Sequence, residues 1–313
     1  MTVLLVASAG GHLKELQSLL PRLGLDGPFV WLTFDTAQSR SLLAGQEVVF
    51  GRYPRPRDLG TTAANALVAA RLLRSRRFSV AVSTGSGIAI SSLPLARARG
   101  ASCHYIESAT RTMGPSMTGR VLKVLPGMNL YTQYRAWATG PWRYGGSIFD
   151  GFTPVAGSPG SKLRRVVVSV GSSETYGFRR LIKRMHQLLP PDVDVLWQTG
   201  STDVTGLPID SRAFVPAREL EAAMRDADVV VCHAGAGSSL VALESGRFPV
   251  LVPRQKAFGE HIDDHQAEIA SDLASRGLAI SRLPETLIYE DLLTCASRTV
   301  ESVAEITPFE LRK

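Results

Sequence analysis

The 313-residue chain has only three cysteines, which are odd in number and far apart. Cys103 and Cys232 lie in or beside strand-like runs, and Cys295 is far from both. This pattern argues against a disulfide framework and against a zinc site. We therefore expect buried free thiols in a protein of a reducing compartment.

Long apolar runs are also missing, since no segment approaches the ~18 uninterrupted apolar residues of a membrane span. The first residues, MTVLLVASAGG, are too short and too uncharged for a signal peptide and are typical of a first β-strand. These two absences predict a cytoplasmic protein without a membrane-spanning anchor.

The sequence has no short repeat and no helix-turn-helix, zinc-finger or aromatic RNP motif, which makes nucleic acid a poor candidate for a partner. Its charge is nevertheless distributed unevenly between the two halves of the chain. Residues 1–155 hold 17 Lys and Arg against 7 Asp and Glu, whereas residues 156–313 hold 18 against 21. The basic half predicts an anionic partner such as a phospholipid surface or a lipid pyrophosphate. A solvated basic surface without a partner is the alternative.

Short apolar runs alternate with helical patterns along the whole chain. In the first half the predicted strands are Val3–Ala7, Phe29–Phe34, Val48–Phe50, Ser79–Ser83, Ser102–Ile106 and Asn129–Thr132, with helices near 12–20, 61–75, 87–99 and 116–125. In the second half the strands are Arg165–Val170, Val193–Gln198, Arg212–Val215, Asp228–Cys232, Pro249–Val252 and Leu278–Ile280, with helices near 176–188, 217–225, 237–245, 261–275 and 289–303. Such alternation predicts βαβ units and parallel sheets.

The fold class is therefore α/β, with two Rossmann-like domains facing across a cleft. The predicted domains are residues 1–156 and 162–313, and the composition of 157–161 (GSPGS) is typical of a linker. The last helix could pack back on the first domain. In such folds ligands bind at the carboxyl ends of the strands.

The richest glycine turn is HAGAGSS, at His233 to Ser239, between a predicted strand and a predicted helix. Gly235 and Gly237 would let the backbone approach a ligand, and the helix N-terminus suits a phosphate or diphosphate. Ser238 and Ser239 are expected to cap this helix. A glycine-rich turn without a ligand is the alternative.

Polar segments also follow strands of the first half. In SAGGH, at residues 8–12, Gly10 and Gly11 predict a tight turn, although the G-x-G-x-x-G dinucleotide pattern is incomplete. His12 at the helix start could accept a proton from an acceptor hydroxyl, or could be a helix-start residue satisfied by backbone. Glu107 and Arg111 would suit a sugar hydroxyl and a phosphate, or would form a local ion pair.

Residues 113–130 form a basic, methionine-bearing amphipathic stretch, which we expect to contact a membrane; a core-facing helix with two snorkelling cations is the alternative. The loop from Val252 to Gln266 is dense in hydrogen-bonding side chains, as a sugar pocket requires. We do not expect a metal there, because no metal-binding pattern on a matching helix is evident.

Several segments resemble a known family. SAGGHLKEL (8–16), STGSGIAI (83–90) and the stretch 105–133 are similar to the membrane-associated subunit of the enzyme that adds the second N-acetylglucosamine to dolichol diphosphate. VVSVGSSETYGFRRLI (167–182) and the stretch 232–270 are similar to its catalytic, UDP-sugar-binding partner. Bacterial exopolysaccharide and capsule glycosyltransferases, and more distantly MurG of the family 28 group, share these motifs.

The resemblance implies a GT-B enzyme that moves a sugar from a UDP-sugar to a polyprenyl-diphosphate-linked saccharide, with inversion and without a metal or other cofactor. It implies a donor site of Gly171, Ser172, Ser173, Phe214, Val215, His233, Gly235, Ala236, Gly237, Ser238, Ser239, Glu244, Asp264, His265 and Gln266. In that site the diphosphate lies on the glycine turns, the ribose on Glu244, the uracil near residues 214–215 and the sugar near residues 264–266.

On the acceptor side, His12 and Glu107 are the candidate catalytic residues, and Gly10, Gly11 and Arg111 the candidate acceptor contacts. The eukaryotic subunit's hydrophobic anchor has no counterpart here, so peripheral binding to the inner face of the cell membrane is expected.

Glucuronate, galactose, glucose and N-acetylglucosamine all remain open as the donor sugar, with Arg254 or Lys256 available to a uronate carboxylate. A UDP-sugar epimerase and a non-catalytic UDP-binding subunit are the alternative functions.

Overall fold

The structure is a computed structural model that describes residues 2–53, 59–157, 162–172, 175–303 and 306–312. It divides into two compact units, one of residues 1–150 with 306–313 and one of residues 151–305. Each unit contains one parallel sheet flanked by helices, and the predicted α/β fold with two Rossmann-like halves is confirmed.

The first unit is built around a seven-stranded parallel sheet in the order β3-β2-β1-β4-β5-β6-β7. Its strands are β1 (Val3–Ala7), β2 (Phe29–Phe34), β3 (Val48–Gly51), β4 (Val80–Gly85), β5 (Ser102–Ile106), β6 (Met128–Thr132) and β7 (Trp142–Tyr144). Its helices are α1 (Gly11–Leu19), α2 (Ala37–Leu42), α3 (Leu59–Ser75), α4 (Gly87–Ala98) and α5 (Met117–Lys123). β1 is buried along its whole length, because a parallel sheet is covered on both faces.

The second unit is built around a six-stranded parallel sheet in the order β11-β10-β9-β12-β13-β14. Its strands are β8 (Phe152–Ala156), β9 (Arg165–Ser169), β10 (Asp194–Gln198), β11 (Ser211–Arg212), β12 (Val229–His233), β13 (Val250–Val252), β14 (Ile280–Ser281) and β15 (Arg298–Ser302). Its helices are α6 (Arg179–Leu188), α7 (Ala217–Asp226), α8 (Ala236–Glu244), α9 (His265–Ser275) and α10 (Tyr289–Ala296). β8 and β15 form a separate antiparallel pair.

The predicted helix over 289–303 is wrong in its second half, where α10 ends at Ala296 and β15 follows. Thr299 and Val300 are β-branched, which favours a strand, and Val300 is buried. The Val300 N–H also donates to the Gly246 carbonyl, so tertiary pairing supplies the hydrogen bonds that a helix would have made.

The boundary between the units lies at Asp150–Gly151, before the predicted linker, because β8 pairs with β15 of the second unit. Within the predicted linker, residues 158–161 lie outside the described residues. The segment that returns to the first unit is the tail 306–312 and not a helix. Phe309 of this tail is buried, its N–H donates to the Arg22 carbonyl, and its ring lies 5.6 Å from that of Tyr131.

All three cysteines are free and buried, as predicted. Burial raises the pKa of each thiol to about 12, so none is a reactive thiolate at neutral pH. Among the described residues, every helix is too short or too polar to cross a bilayer.

Candidate functional site

In each sheet, the chain reverses its winding direction between two neighbouring strands. The reversal lies between β1 and β4 in the first unit and between β9 and β12 in the second. Open α/β sheets bind ligands at the carboxyl ends of the strands at such a switch point. The predicted glycine turns follow these strands directly, at residues 8–12 after β1, 170–172 after β9 and 234–239 after β12. Ser173 lies outside the described residues.

In the second unit, the imidazole of His233 fills the space between two glycines. A Cβ added at Gly171 would lie 2.5 Å from Cε1 of His233, and one added at Gly235 would lie 2.5 Å from Nε2. Gly171 also has a φ of +79°, in the left-handed region that favours glycine. Both positions therefore require glycine, and the two turns are fixed against each other through one ring.

The His233 ring is neutral, because burial and the neighbouring Arg254 cation lower its pKa well below the usual range. Its Nδ1 has no hydrogen-bond partner among the described residues. His233 thus acts here as a neutral spacer and supplies no positive charge to an anion.

Helix α8 begins with Gly235 as its N-cap, and no side chain caps it. The predicted capping by Ser238 and Ser239 is wrong, because the helix starts early enough to place both serines inside it. Ser239 is fully buried, and its hydroxyl has no partner within the described residues. The backbone N–H groups of Ala236, Gly237 and Ser238 belong to the first turn, where helices lack intrahelical partners and carry partial positive charge.

Arg254 is buried beneath the turn that follows β9. Its Nη2 donates to the Val170 carbonyl at 2.7 Å, and its own backbone N–H donates to Oε1 of Gln266 at 3.0 Å. Burial lowers its pKa to about 10, so the side chain remains a cation at neutral pH. The structure therefore assigns Arg254 and the buried Gln266 to holding the site together, and Arg254 is not exposed to a uronate carboxylate.

The remaining donor-site candidates lie at the surface of the same unit or near it. Glu244 is exposed at the end of α8, and Phe214 and Ser172 are partly buried. Val215 is buried, and its N–H already donates to Oε1 of Gln198 at 3.0 Å. This N–H is therefore not available to a base edge, and the placement of uracil near residues 214–215 stays a prediction.

In the first unit, His12 is held in one tautomer. Its Nδ1 lies 2.9 Å from the Thr84 carbonyl, and Oγ1 of Thr84 donates to the His12 carbonyl at 2.6 Å. Because a carbonyl only accepts, Nδ1 carries a proton, and in the neutral ring the lone pair is therefore on Nε2. A partly exposed imidazole in this state has the form that a general base requires. Gly10 and Gly11 provide the turn and first helical residue before it.

Glu107 does not lie where an acceptor hydroxyl would reach it. Its side chain is 1% exposed and accepts hydrogen bonds from the Tyr105 hydroxyl at 3.0 Å and the Ser116 N–H at 2.9 Å. Burial raises its pKa. The expected role as a catalytic base is therefore corrected to a structural one, in which Glu107 holds the N-terminus of α5. Arg111 is partly exposed, with its backbone bound to Ser108 and Trp137.

A second buried carboxyl group, Glu15 of α1, holds the other end of this loop. It accepts from the Ser108 hydroxyl at 2.7 Å, the Ala109 N–H at 3.1 Å and Nε2 of Gln133 at 3.3 Å. These partners are about a hundred residues away along the chain, so no local pattern indicates them. Burial raises the pKa of Glu15 to about 7.

The raised pKa of Glu15 predicts that the protein loses stability as the pH rises from 6.5 to 8. The folded state holds this proton up to about pH 7, whereas the unfolded state releases it near pH 4.5. The stabilisation therefore declines from about pH 4.5 upward and is nearly gone above pH 7, and the end of this decline falls between pH 6.5 and 8. The buried histidines His104 and His233 have lowered pKa values, so their contribution makes stability rise with pH, but only below pH 6.5. Melting temperatures across this range should fall in the wild type and fall less in Glu15→Gln; an equal slope in both would contradict the assignment.

The predicted amphipathic stretch 113–130 presents apolar side chains to solvent. Met113, Met117 and Val124 are 83%, 71% and 78% exposed, and Arg120 and Lys123 are exposed beside them. Leu122 of the same helix is fully buried. Helix α5 thus packs Leu122 into the core, while its exposed side chains and those of the flanking Met113 and Val124 are left uncovered by the rest of the unit. We call Met113, Met117, Arg120, Lys123 and Val124 the methionine surface.

Comparisons with known proteins agree with this geometry. Residues 165–303 match the family described as Glycosyltransferase family 28 C-terminal domain. MurG from Acinetobacter baumannii has a TM-score of 0.57 at 18% identity, over 94% of this chain and 88% of that chain. The glycosyltransferase SnogD from Streptomyces nogalater has a TM-score of 0.59 at 18% identity, over 95% and 93% of the two chains. The spinosyn rhamnosyltransferase SpnG, solved with thymidine diphosphate, has a TM-score of 0.53 at 18% identity, over 94% and 90%. No curated protein sequence matches significantly.

The second unit matches the C-terminal domain of family 28 glycosyltransferases, and the chain has the fold of the GT-B glycosyltransferases that it resembles. It is MurG-like, with a family 28 C-terminal domain in its second unit, which confirms the predicted resemblance at that level.

Proposed function

We propose that the enzyme transfers a sugar from a UDP-sugar to a polyprenyl-diphosphate-linked saccharide, with inversion, in bacterial exopolysaccharide, capsule or related glycan synthesis. The proposal that the donor is a UDP-sugar rests on the two glycine turns around His233, at the switch point of the second sheet. The thymidine diphosphate complex of SpnG supports a nucleoside diphosphate as the ligand of this fold.

The diphosphate would lie at the N-terminus of α8 and the turn at Gly171. Amide groups of Ala236, Gly237 and Ser238 would donate to its oxygens, and the buried Arg254 cation would add positive potential from below. These groups would stabilise the charge that develops as UDP leaves, which in many transferases a metal does. Metal-independent transfer is therefore part of the proposal. Glu244 would bind the ribose, and Asp264 and His265 the donor sugar.

The chemical step would be a single in-line displacement. The acceptor hydroxyl oxygen attacks the anomeric carbon, the bond from that carbon to the diphosphate oxygen breaks, and UDP leaves with the electron pair. Nε2 of His12 would take the hydroxyl proton as the new bond forms, which the fixed tautomer favours. Inversion at the anomeric carbon follows from a single displacement.

The lipid part of the acceptor would bring the enzyme to the anionic inner face of the cell membrane. The methionine surface supports this proposal, because it places exposed apolar side chains next to Arg120 and Lys123. Apolar insertion and attraction of cations to anionic lipids together can hold a protein at a bilayer surface.

Replacing Met113 and Met117 together with serine should weaken binding to phosphatidylglycerol vesicles by about 10-fold or more, since burying each side chain contributes roughly 1.5–3 kcal/mol. Ile288→Thr is the control, because it removes an exposed aliphatic side chain from the second unit. Vesicle sedimentation measures both variants. Equal binding by wild type and double variant would remove the methionine surface from the proposal.

One experiment tests the function as a whole. The purified protein is incubated with a panel of UDP-sugars, with and without membranes that contain polyprenyl-diphosphate-linked sugar, and with and without EDTA. We expect UDP release and a lipid-linked product for one donor, only with acceptor present, and undiminished by EDTA. Conversion of a UDP-sugar without acceptor would instead favour an epimerase. UDP binding without turnover in any arm would favour a non-catalytic subunit.

A further inference from the structure

The loop between β13 and α9 is fixed at both ends. The buried Glu260 accepts from Nη2 of Arg180 at 2.8 Å and, near the start of the loop, from the Gln255 N–H at 3.0 Å. Near its end, Oδ1 of Asp264 accepts from the Lys256 N–H at 2.8 Å. The Arg180 guanidinium also lies 3.5 Å from the centroid of the Phe258 ring. Side chains carried between these anchors are therefore preorganised.

Three side chains, two at the end of this loop and one at the first residue of α9, converge on one point. His261, Asp263 and His265 alternate along the chain, and one nitrogen or oxygen atom from each lies within 4.8 Å of the others. Nδ1 of His261 lies 3.2 Å from Oδ1 of Asp263, and Nδ1 of His265 contacts the same oxygen. The two imidazole rings lie 4.7 Å apart and nearly perpendicular. All three side chains are partly exposed, so an ion would have access from solvent.

We propose that His261, Asp263 and His265 bind one divalent transition metal ion, with Zn²⁺ as the best match. Two imidazole nitrogens and one carboxylate oxygen form a donor set that suits Zn²⁺ and its first-row neighbours, whereas Mg²⁺ and Ca²⁺ prefer oxygen ligands alone. Three protein ligands leave a fourth tetrahedral position for water or substrate. The histidines lie four residues apart, but His261 precedes α9, so their convergence does not come from one helix face.

The same contacts permit a second account, in which Asp263 only accepts hydrogen bonds from the two imidazoles. Metal binding would replace those hydrogen bonds by coordination bonds and would release the ring protons at the coordinating nitrogens. The two accounts therefore differ in whether the protein takes up an ion, which is directly measurable.

Zinc titration into metal-free protein tests the site without reference to activity. Calorimetry should show one Zn²⁺ bound per wild-type chain, and Co²⁺ should give the visible absorption of a tetrahedral site. His265→Asn and Asp263→Asn should each weaken Zn²⁺ binding by about 100-fold or more. His186→Asn, in α6, is the matched control and should bind as the wild type does. Thermal melts establish that each variant is folded.

Absence of saturable Zn²⁺ binding by the folded wild type would overturn the proposal. The proposal would also be overturned if His186→Asn weakened Zn²⁺ binding as much as the loop variants do, or if both loop variants bound Zn²⁺ as tightly as the wild type. In either case the ion would lie elsewhere. Mg²⁺ should produce no heat of binding, and a Mg²⁺ affinity comparable to that for Zn²⁺ would contradict the assigned donor set.

A consequence for regulation rests on the proposed function. His265 is one of the residues assigned to the donor sugar, so an ion bound to it should compete with the UDP-sugar. Added Zn²⁺ should raise the donor KM of the wild type and leave that of Asp263→Asn unchanged. Because the titration needs no turnover, loss of the proposed function would leave the metal result standing, and a failed titration would leave the transferase assay standing.

Discussion

Replacing His12 with alanine is expected to lower kcat by about 10²–10⁴-fold, the usual contribution of a general base. The donor KM should change little, because the donor-site residues lie in the second unit and His12 belongs to the first. The physical reason is the fixed tautomer, in which Thr84 holds the proton on Nδ1 and leaves the lone pair on Nε2. Initial rates with saturating acceptor measure both constants.

Two further variants separate this role from a structural one. Glu107→Gln should lower the melting temperature, because its buried carboxyl group holds Tyr105 and Ser116, while kcat per folded molecule stays near the wild-type value. His186→Ala should change neither quantity. A wild-type kcat in His12→Ala would show that His12 is not the general base.

The second large effect is expected from Gly171→Ala. The new Cβ would lie 2.5 Å from Cε1 of His233, and the backbone has a φ of +79°, so the ring or the turn must move. A left-handed conformation costs an L-residue roughly 1–2 kcal/mol, and overpacking adds about 1–3 kcal/mol. We expect a lower melting temperature and UDP binding weakened by about 10-fold or more, since 1.4 kcal/mol corresponds to a factor of ten.

Gly206→Ala is the matched control for this variant. Gly206 has the same φ of +79°, but nothing lies within 4 Å of the position of its Cβ. It should therefore show the backbone strain without the contact, and should bind UDP normally. His233→Ala added to Gly171→Ala should recover part of the stability, because it removes the contacting ring. If Gly171→Ala and Gly206→Ala bind UDP equally well, the turn at Gly171 is not the diphosphate site.

Local patterns identified most of the strands and the turns that follow them. The run Val3–Ala7 and the run ending at Cys232 are apolar because parallel strands are buried on both faces, and that property is visible in any short window. Short sequence windows predicted the wrong structure at residues 298–302, where a helix was expected. There the strand forms because β8, well over a hundred residues earlier in the chain, offers it a partner.

The side-chain roles depended even more on distant partners. Glu107 and Arg254 follow strands, and from the sequence both were expected to meet a ligand. In the structure Glu107 is buried against Ser116, and Arg254 holds the carbonyl of Val170, 84 residues earlier. No metal was expected from the sequence at residues 252–266. In the structure α9 begins only at His265, and the turn before it brings His261 and Asp263 to that residue.

The sequence by itself determined the α/β class, the alternation of strands and helices, and the glycine turns at the switch points, because hydrophobic periodicity and glycine chemistry act over a few residues. Only the tertiary structure decided which polar groups remain accessible to a ligand and which are buried in hydrogen bonds to other protein groups. That choice depends on burial and on hydrogen-bond partners that folding brings together from remote positions, as the His233 ring between Gly171 and Gly235 shows.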